Sequence, residues 1–227
     1  KAGIMKPGVI SILAPQPLEA FDTLTRHANT INATIFNDFD VLEETADGFT
    51  LRIGRDTLNL PRPALPGRHQ YVNAATAIAA VRKANIPGCD GMDVDVLANG
   101  LRTAQWPARL QRLKKGPLID ALPENCELIL DGGHNIAAAE VISEWLSQQP
   151  KGDTLVIVGM LDNRDPVAFL TPLAPHVSAL AGIVIPGDHE AHDAITLQNA
   201  GRDCGIAKSH ACSDLKHAVE VLLTEIP

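Results

Sequence analysis

Residues 127–141 read ELILDGGHNIAAAEV, and this stretch predicts a strand, a sharp turn and the start of a helix. The apolar run at 127–130 is short and continuous, which is typical of a strand buried in a parallel sheet. The turn that ends it, Asp131 to Asn135, carries a carboxylate, two glycines, an imidazole and an amide. Such a turn is compatible with a phosphate loop, a metal site, part of a catalytic triad, or a helix cap made by Asn135.

The same alternation of strand and helix continues to the end of the sequence. Further strands are predicted at 154–159, at 179–185 and near Ala207. Helices are predicted at 136–149, 166–173, 194–204 and 214–224. Apolar strands that alternate with amphipathic helices indicate a mostly parallel sheet covered on both faces. The sequence therefore predicts a Rossmann-like α/β domain over residues 106–227, and we expect its last strand to be missing.

Residues 1–105 have a different pattern, with more strands. Strands are predicted at 9–14, 33–36, 41–44, 49–53 and 57–60, and helices at 18–29, 69–84 and 93–103. Asp47-Gly48 and Gly54-Arg55-Asp56 supply hairpin turns between the last three strands. Trp106-Pro107 and the polar residues that follow indicate a domain boundary, because the residue before a proline is disfavoured in a helix.

The composition excludes several classes of protein. The formal net charge of −8 and the pI near 5.4 give no basic surface for nucleic acid or for an anionic membrane. The four cysteines have no CxxC spacing, and no apolar run of about twenty residues is present, so we expect a reduced, cytoplasmic protein. The sequence opens KAGIMKPG without a methionine, so we also expect a piece of a longer protein.

Candidate sites outside the turn are weaker. No G-x-G-x-x-G, P-loop or G-x-S-x-G pattern occurs, which argues against a dinucleotide loop, a P-loop and a hydrolase triad. Residues 188–193, DHEAHD, offer metal ligands without the H-E-x-x-H spacing, and a solvated helix entrance is the favoured interpretation. The set Cys204, His210, Cys212 and His217 lacks zinc-site spacing.

Arg109 lies at the predicted domain boundary, in the segment WPARLQ at 106–111. An arginine in a linker is usually solvated. One placed between domains can also reach a nucleotide, because a guanidinium binds phosphate oxygens in pairs. Both interpretations of Arg109 stay open on the spacing alone.

Five segments, taken together, resemble a known family. They are KAGIMKPG at 1–8, GRHQYVNAATAIAA at 67–80, WPARLQ at 106–111, LDGGHN at 130–135 and VGMLDNRDP at 158–166. In this order they resemble the folylpolyglutamate synthase and dihydrofolate synthase family of the Mur ligase superfamily. The resemblance implies the C-terminal part of a Mur-type ATPase domain at 1–105, followed by a Rossmann-like glutamate ligase domain at 106–227.

The resemblance also implies an activity: an ATP-dependent ligase that adds L-glutamate to folate, and to dihydropteroate, through an acyl phosphate. ATP and Mg²⁺ are the implied cofactors, glutamate and the folate or dihydropteroate are the implied substrates, and a monomer is expected. It places Arg109 at the phosphates, Asp131 and Asn73 at the nucleotide, and His134 in the active site. Lys1 matches a lysine that is carbamylated near magnesium in this family, which makes it a candidate catalytic and metal-site residue.

The sequence differs from the family pattern by small changes at three positions. Ala108 stands where glycine is usual, Gly133 where alanine is usual, and Ile136 where proline is usual. The family's glycine-rich phosphate loop does not occur in residues 1–227, so we expect this stretch alone to be inactive. Two alternatives stay open: another Mur-type amide ligase, acting on a peptidoglycan precursor or a polyamide, or a noncatalytic nucleotide-binding domain.

Overall fold

The computed structural model describes residues 2–84, 93–188 and 190–226. The chain divides into two compact units, Lys1–Pro107 and Ala108–Pro227. The sequence analysis puts the boundary between residues 105 and 106. That the two units are an ATPase part and a ligase domain stays a prediction.

The first unit has five strands and three helices among its described residues. After a 3₁₀ turn at Ala2–Ile4 they are, in chain order, β1 (Ile10–Ile12), α1 (Leu18–Thr30), β2 (Thr34–Phe36), β3 (Phe39–Glu44), β4 (Gly48–Ile53), β5 (Asp56–Pro61), α2 (His69–Lys83) and α3 (Val94–Thr103). The strands β1 and β2 pair in parallel, and β3, β4 and β5 form an antiparallel sheet in that order. Gly54 has φ +58° in the tight β4–β5 turn, a backbone conformation that glycine adopts at no steric cost.

The core of this unit lies between the antiparallel sheet and α2. Phe49 and Leu51 from β4 are buried with Ala75 and Ala79 from α2. The small side chains let the helix approach the sheet closely. Tyr71 adds an edge-to-face contact with Phe49, with ring centroids 5.2 Å apart. This packing fixes α2, and α2 carries Asn73.

The second unit contains the predicted alternation of strands and helices. Its elements are β6 (Gln111–Leu113), α4 (Pro117–Asp120), β7 (Leu128–Leu130), α5 (Ile136–Ser147), β8 (Leu155–Val158), α6 (Pro166–Leu170), a 3₁₀ turn (Ala174–His176), β9 (Ala179–Gly182), α7 (Ala194–Asp203), β10 (Ser209–Ala211) and α8 (Leu215–Leu223). The strands β8, β9 and β10 form a parallel sheet with β9 in the centre. The prediction of an α/β fold with parallel strands is confirmed.

Successive side chains of β9 point to opposite faces of the sheet, as in any β-strand, so they pack into two different buried clusters. Leu180 is fully buried with Leu170 and Leu197, whereas Ala179 and Ala181 face a second cluster around Ala218. Gly182 brings α7 close to the sheet, since a Cβ there would lie 2.6 Å from the Cβ of Leu197. The parallel sheet is therefore covered on both faces.

The strand at 127–130 corrects one expectation. β7 is antiparallel to β6, with Gln111 opposite Leu130, and it forms no ladder with β8 among the described residues. The sequence pattern did not reveal β6, because Gln111-Arg112-Leu113 is short and polar and depends on a partner far along the chain. This hairpin-like pair matters for the site, since it brings residues 108–111 beside the turn after β7.

Among the residues that the structure describes, no helix is both long enough and apolar enough to cross a membrane.

Candidate functional site

Asp131, directly after β7, holds two backbone segments with one carboxylate. Its Oδ2 accepts a hydrogen bond from the backbone N–H of Leu110 at 2.7 Å, and its Oδ1 accepts one from Gly133 at 2.7 Å. The side chain is half-buried, and a carboxylate that accepts backbone N–H groups forms short, strong bonds. The carboxylate therefore connects the segment at 108–111 to the turn at 131–135.

The segment at 108–111 has an unusual backbone. Ala108 has φ +53° and Leu110 has φ +45°, so two residues with a Cβ lie in the left-handed region on either side of Arg109. The carbonyl of Ala108 accepts a hydrogen bond from the N–H of Gly132 at 3.0 Å, and its N–H donates to Oε1 of Gln111 at 3.0 Å. These contacts hold a conformation that the residues themselves disfavour.

Arg109 projects from this held segment into solvent. Its Nη1 donates to the carbonyl of Ala108 at 3.1 Å, and the side chain is exposed. A Cβ placed on Gly132 would lie 3.4 Å from Nη1, so the guanidinium lies against the turn. Within the described ranges it makes no ion pair, whereas nearby Arg112 pairs with Glu127 at 2.8 Å. Most of its N–H donors are thus available to an anion.

His134 is the second exposed group of the turn. Its Nδ1 lies 3.1 Å from the carbonyl oxygen of Gly132, and a carbonyl can only accept, so Nδ1 carries the proton. Nε2 is then the acceptor nitrogen of the ring. Asn135 is the helix cap, because its Oδ1 accepts from the N–H of Ala138 at 2.9 Å at the start of α5. Imidazole chemistry and capping therefore fall to adjacent residues.

Asn73 belongs to the first unit, where it lies exposed near the start of α2. Its Nδ2 donates to Oε1 of Gln70 at 3.1 Å, and Nε2 of Gln70 lies 2.9 Å from Nε2 of His69. Gln70 is only 5% exposed. Because the amide of Gln70 must donate to the imidazole, its oxygen is turned to Asn73, and Oδ1 of Asn73 is left to accept from a ligand.

The structure thus brings together three of the predicted site residues. Arg109, Asp131 and His134 lie within one unit, and Asn73 lies in the other. Lys1 lies outside the described residues. The sequence analysis includes Gln70 in the segment at 67–80 but misses its contact with Asn73. The signal for that contact is the spacing of three residues on one helix.

The weaker metal candidates gain no support. No group of three His, Cys, Asp or Glu side chains able to hold a metal occurs in residues 2–84, 93–188 and 190–226. In the segment 188–193, His189 lies outside the described residues, Nε2 of His192 contacts the carbonyl of Arg164 at 2.8 Å, and Asp193 caps α7. The backbone N–H of Thr196 lowers the pKa of Asp193, as expected for a capping carboxylate. The segment is a capped helix entrance, as the sequence analysis favoured.

No protein-family model matches the chain. A probable bifunctional folylpolyglutamate synthase/dihydropteroate synthase of Halobacterium salinarum is 28% identical over 163 residues, covering 71% of this chain and 18% of that protein. A dihydrofolate synthase/folylpolyglutamate synthase of Bacillus subtilis is 27% identical over 167 residues, covering 70% and 36%. The mitochondrial folylpolyglutamate synthase of Homo sapiens is 28% identical over 208 residues, covering 77% and 32%. The chain therefore spans well under half the length of these relatives.

Solved structures show the same relationship in the fold. The folylpolyglutamate synthase of Mycobacterium tuberculosis, complexed with ADP and AMPPCP, matches with a TM-score of 0.79 at 21% identity, covering 98% of this chain and 50% of that one. A bifunctional folylpolyglutamate synthase/dihydrofolate synthase with Mn, AMPPNP and L-glutamate bound matches with a TM-score of 0.78 at 22% identity, covering 99% and 50%. Together with the curated relatives, these matches confirm the resemblance found in the sequence.

Proposed function

We propose that this chain, which is similar in sequence and fold to part of the folylpolyglutamate synthases, is the C-terminal part of such a ligase. The whole enzyme joins L-glutamate to a folate, and to dihydropteroate, by an ATP-dependent reaction through an acyl phosphate. The observation that carries the proposal is the exposed guanidinium of Arg109, which makes no ion pair among the described residues. Asp131 holds the backbone next to it, at Leu110, beside the turn at the end of β7. An exposed guanidinium can bind the oxygens of a phosphate in pairs.

The ligands bound in the related structures support ATP, L-glutamate and a folate-type acceptor as the proposed substrates. The structure neighbours hold ADP, AMPPCP, AMPPNP, Mn and L-glutamate, and an Escherichia coli FolC holds DHPP with ADP. We propose that the enzyme to which this chain belongs likewise uses ATP, L-glutamate and a folate-type acceptor as substrates. The protein is expected to act as a cytoplasmic monomer, without nucleic acid or membrane as a partner.

The chemical problem of the reaction is negative charge. A carboxylate must approach a triphosphate, and the transferring phosphoryl group gathers charge on its oxygens. The guanidinium of Arg109 matches those oxygens and is proposed to bind them. Oδ1 of Asn73 is proposed to accept from the exocyclic amine of adenine. The remaining lone pairs of Asp131 are proposed to accept from the nucleotide, most simply from its ribose.

His134 is proposed to act as a general base for the amine of glutamate. With Nδ1 donating to the carbonyl of Gly132, Nε2 is able to accept a proton from an incoming ammonium group. Loss of that proton is required before the nitrogen attacks the acyl phosphate.

The described residues do not form a complete magnesium site, since they contain no group of three His, Cys, Asp or Glu side chains able to hold a metal. When bound to ATP, Mg²⁺ supplies charge neutralisation at the phosphates. The proposed protein contact of Mg²⁺ in this chain is a carbamylated Lys1, which lies outside the described residues.

The test uses the full-length protein with ATP, Mg²⁺, L-glutamate and either tetrahydrofolate or dihydropteroate. We expect glutamylated product and phosphate in equal amounts. Arg109→Ala is expected to lower kcat/KM by about 100-fold or more, because it removes a cation from the developing charge. Arg112→Ala, which removes only an exposed ion pair with Glu127, is expected to stay within about 2-fold of wild type.

Three outcomes would contradict the proposal. Turnover only with a peptidoglycan precursor or a polyamide acceptor would identify another Mur-type amide ligase. Undiminished activity in both Arg109→Ala and Asp131→Ala would indicate that this part of the protein only binds or supports. Absence of ATP-dependent glutamate addition with every acceptor would exclude the ligase altogether.

A further inference from the structure

We propose that Asp131 is a positioning residue for Arg109, so that its carboxylate sets where the guanidinium stands. This inference rests on the proposed function, in which Arg109 meets the phosphates. It is separate from the proposed contact of Asp131 with the ribose. Loss of that contact weakens ATP binding and raises the KM for ATP, whereas a displaced Arg109 lowers kcat.

The first support is the connectivity of the carboxylate. Oδ2 accepts from Leu110, the residue after Arg109, and Oδ1 accepts from Gly133, both at 2.7 Å. The N–H of Gly132 donates back to the carbonyl of Ala108, the residue before Arg109, at 3.0 Å. Arg109 is therefore held on both sides by the turn that begins with Asp131.

The second support is the backbone conformation that these contacts maintain. Ala108 at φ +53° and Leu110 at φ +45° both lie where a Cβ is disfavoured. Such conformations persist only where the surroundings impose them. Leu110 is also buried, so its side chain anchors the segment while its N–H is held by Asp131. If the Asp131 contact is lost, the segment is free to relax to an ordinary conformation, which re-aims Arg109.

The third support is the chemistry of the acceptor. An ionised carboxylate has two oxygens and no donor, so it accepts two N–H groups at once. An asparagine of the same shape presents an oxygen to one N–H and an amide nitrogen to the other. Asp131→Asn therefore removes one of the two contacts without changing the volume of the side chain. Its effect then reports on the hydrogen bonds of Asp131 and not on packing.

A double-mutant cycle on kcat in the full-length enzyme tests the proposal. Asp131→Asn and Arg109→Ala are each expected to lower kcat by about 10-fold or more. If Asp131 acts through Arg109, the double variant lies within about 2-fold of Arg109→Ala alone. If Asp131 lowers kcat independently of Arg109, the two losses in kcat multiply, and this result overturns the proposal.

Amide hydrogen exchange supplies a readout that is independent of turnover. In Asp131→Asn, exchange at Leu110 or Gly133 is expected to accelerate by about 10-fold or more, since an N–H loses its acceptor. Asp214→Asn is the matched control: Asp214 also accepts a backbone N–H, from His217 at 2.9 Å, but it caps α8. This control is expected to leave exchange at Leu110 unchanged.

The wild-type protein offers a further check that does not depend on a variant folding. In the wild type, the N–H groups of Leu110 and Gly133 are both expected to exchange more slowly than unbonded amides, because both donate to the carboxylate of Asp131. Exchange of either N–H at the rate of an unbonded amide overturns the proposed role of Asp131. An active wild type with multiplying losses also overturns the positioning role alone, whereas a wild type without ATP-dependent glutamate addition overturns the proposed function, and the positioning role with it.

Discussion

Ala108 occupies a backbone conformation that suits glycine. Its φ of +53° places the Cβ close to the following carbonyl, at a cost of about 1–2 kcal/mol for a residue with a side chain. Glycine avoids that cost but loses about 0.4–1 kcal/mol of stability through the greater freedom of its unfolded chain. We therefore expect Ala108→Gly to raise the free energy of unfolding of residues 108–227 by about 0.5–1 kcal/mol.

Urea denaturation followed by tryptophan fluorescence measures this change. The sequence has two tryptophans, so Trp106→Phe leaves Trp145, on α5, as a reporter of the second unit. Ala121→Gly is the matched control, because Ala121 has φ −90° and gains nothing from glycine. The idea of strain at residue 108 fails if the two glycine variants lose stability equally.

Gln70 fixes the amide of Asn73 from below the surface of α2. Replacing it with leucine fills the buried space but leaves Nδ2 of Asn73 without its acceptor. We expect Gln70→Leu to weaken ATP binding by about 10-fold, which corresponds to about 1.4 kcal/mol, with kcat changed little. Equilibrium binding of ATP to the full-length protein measures the effect.

Thr76→Ala is the control for Gln70→Leu. Thr76 is also on α2, but its hydroxyl donates only to the carbonyl of Val72 at 2.7 Å. Its loss is expected to leave ATP binding unchanged. If the affinity for ATP is unaltered in Gln70→Leu, the buried glutamine has only a structural role and Asn73 needs no support.

Single residues also show where sequence reasoning reaches its limit. The Asn135 cap followed from the residue type and from the helix that begins after it, because both signals are local. The contact between Asp131 and Leu110 did not, since it joins residues that are distant in sequence and depends on the pairing of β6 with β7. The left-handed backbone at Leu110 had no residue-type signal at all, because leucine rarely adopts it.

At the scale of elements, the strands β8 and β9 and the helices around them followed from apolar runs and periodicity. Their boundaries shifted by a few residues, as at 179–185, where only Ala179–Gly182 forms the strand. The missed elements, β6 and α4, are short and carry polar residues. Their conformation is decided by partners elsewhere in the chain, which a local pattern does not contain.

The helices α7 and α8 share a dependence on acidic caps. The backbone N–H of Thr196 lowers the pKa of Asp193, and the backbone N–H of His217 lowers the pKa of Asp214. A carboxylate with a lowered folded-state pKa stabilises the fold above its unfolded pKa of about 3.9, and this stabilisation is lost as the pH falls through the lower folded value. We therefore expect the second unit to lose stability as the pH falls below about 4.

Urea midpoints between neutral pH and pH values below that of free aspartate measure this loss. The double variant Asp193→Asn and Asp214→Asn keeps an acceptor oxygen at both caps but removes the titrating group, so its midpoint is expected to fall less steeply with acid. Asp203→Asn removes one exposed charge from α7 without touching a cap. If the urea midpoint falls as steeply with acid in the double variant as in wild type, the loss of stability comes from groups other than Asp193 and Asp214.

At the scale of the whole molecule, each buried cluster contains residues from only one side of the boundary after residue 107. One cluster is built from residues of the first unit, around Leu51 and Ile78, and the other two from residues of the second, around Leu180 and Ala181. A unit with its own core can fold by itself. The resemblance predicted two domains because its motifs occur along the chain in the same order as in that two-domain family. The two separate sets of buried clusters are visible only in the packing of the structure.

Residues 108–227 alone are therefore expected to unfold in one cooperative urea transition, with Trp145 as the probe. Residues 108–193 are the matched control, because they lack α7, β10 and α8. They lose Leu197 from the cluster that contains Leu180, and Ala218 from the cluster that contains Ala181. Without these elements the parallel sheet lacks an edge strand and a helix on each face, so the shorter piece is expected to show no cooperative transition. A broad, noncooperative transition in residues 108–227 would mean that the second unit depends on the first for its fold.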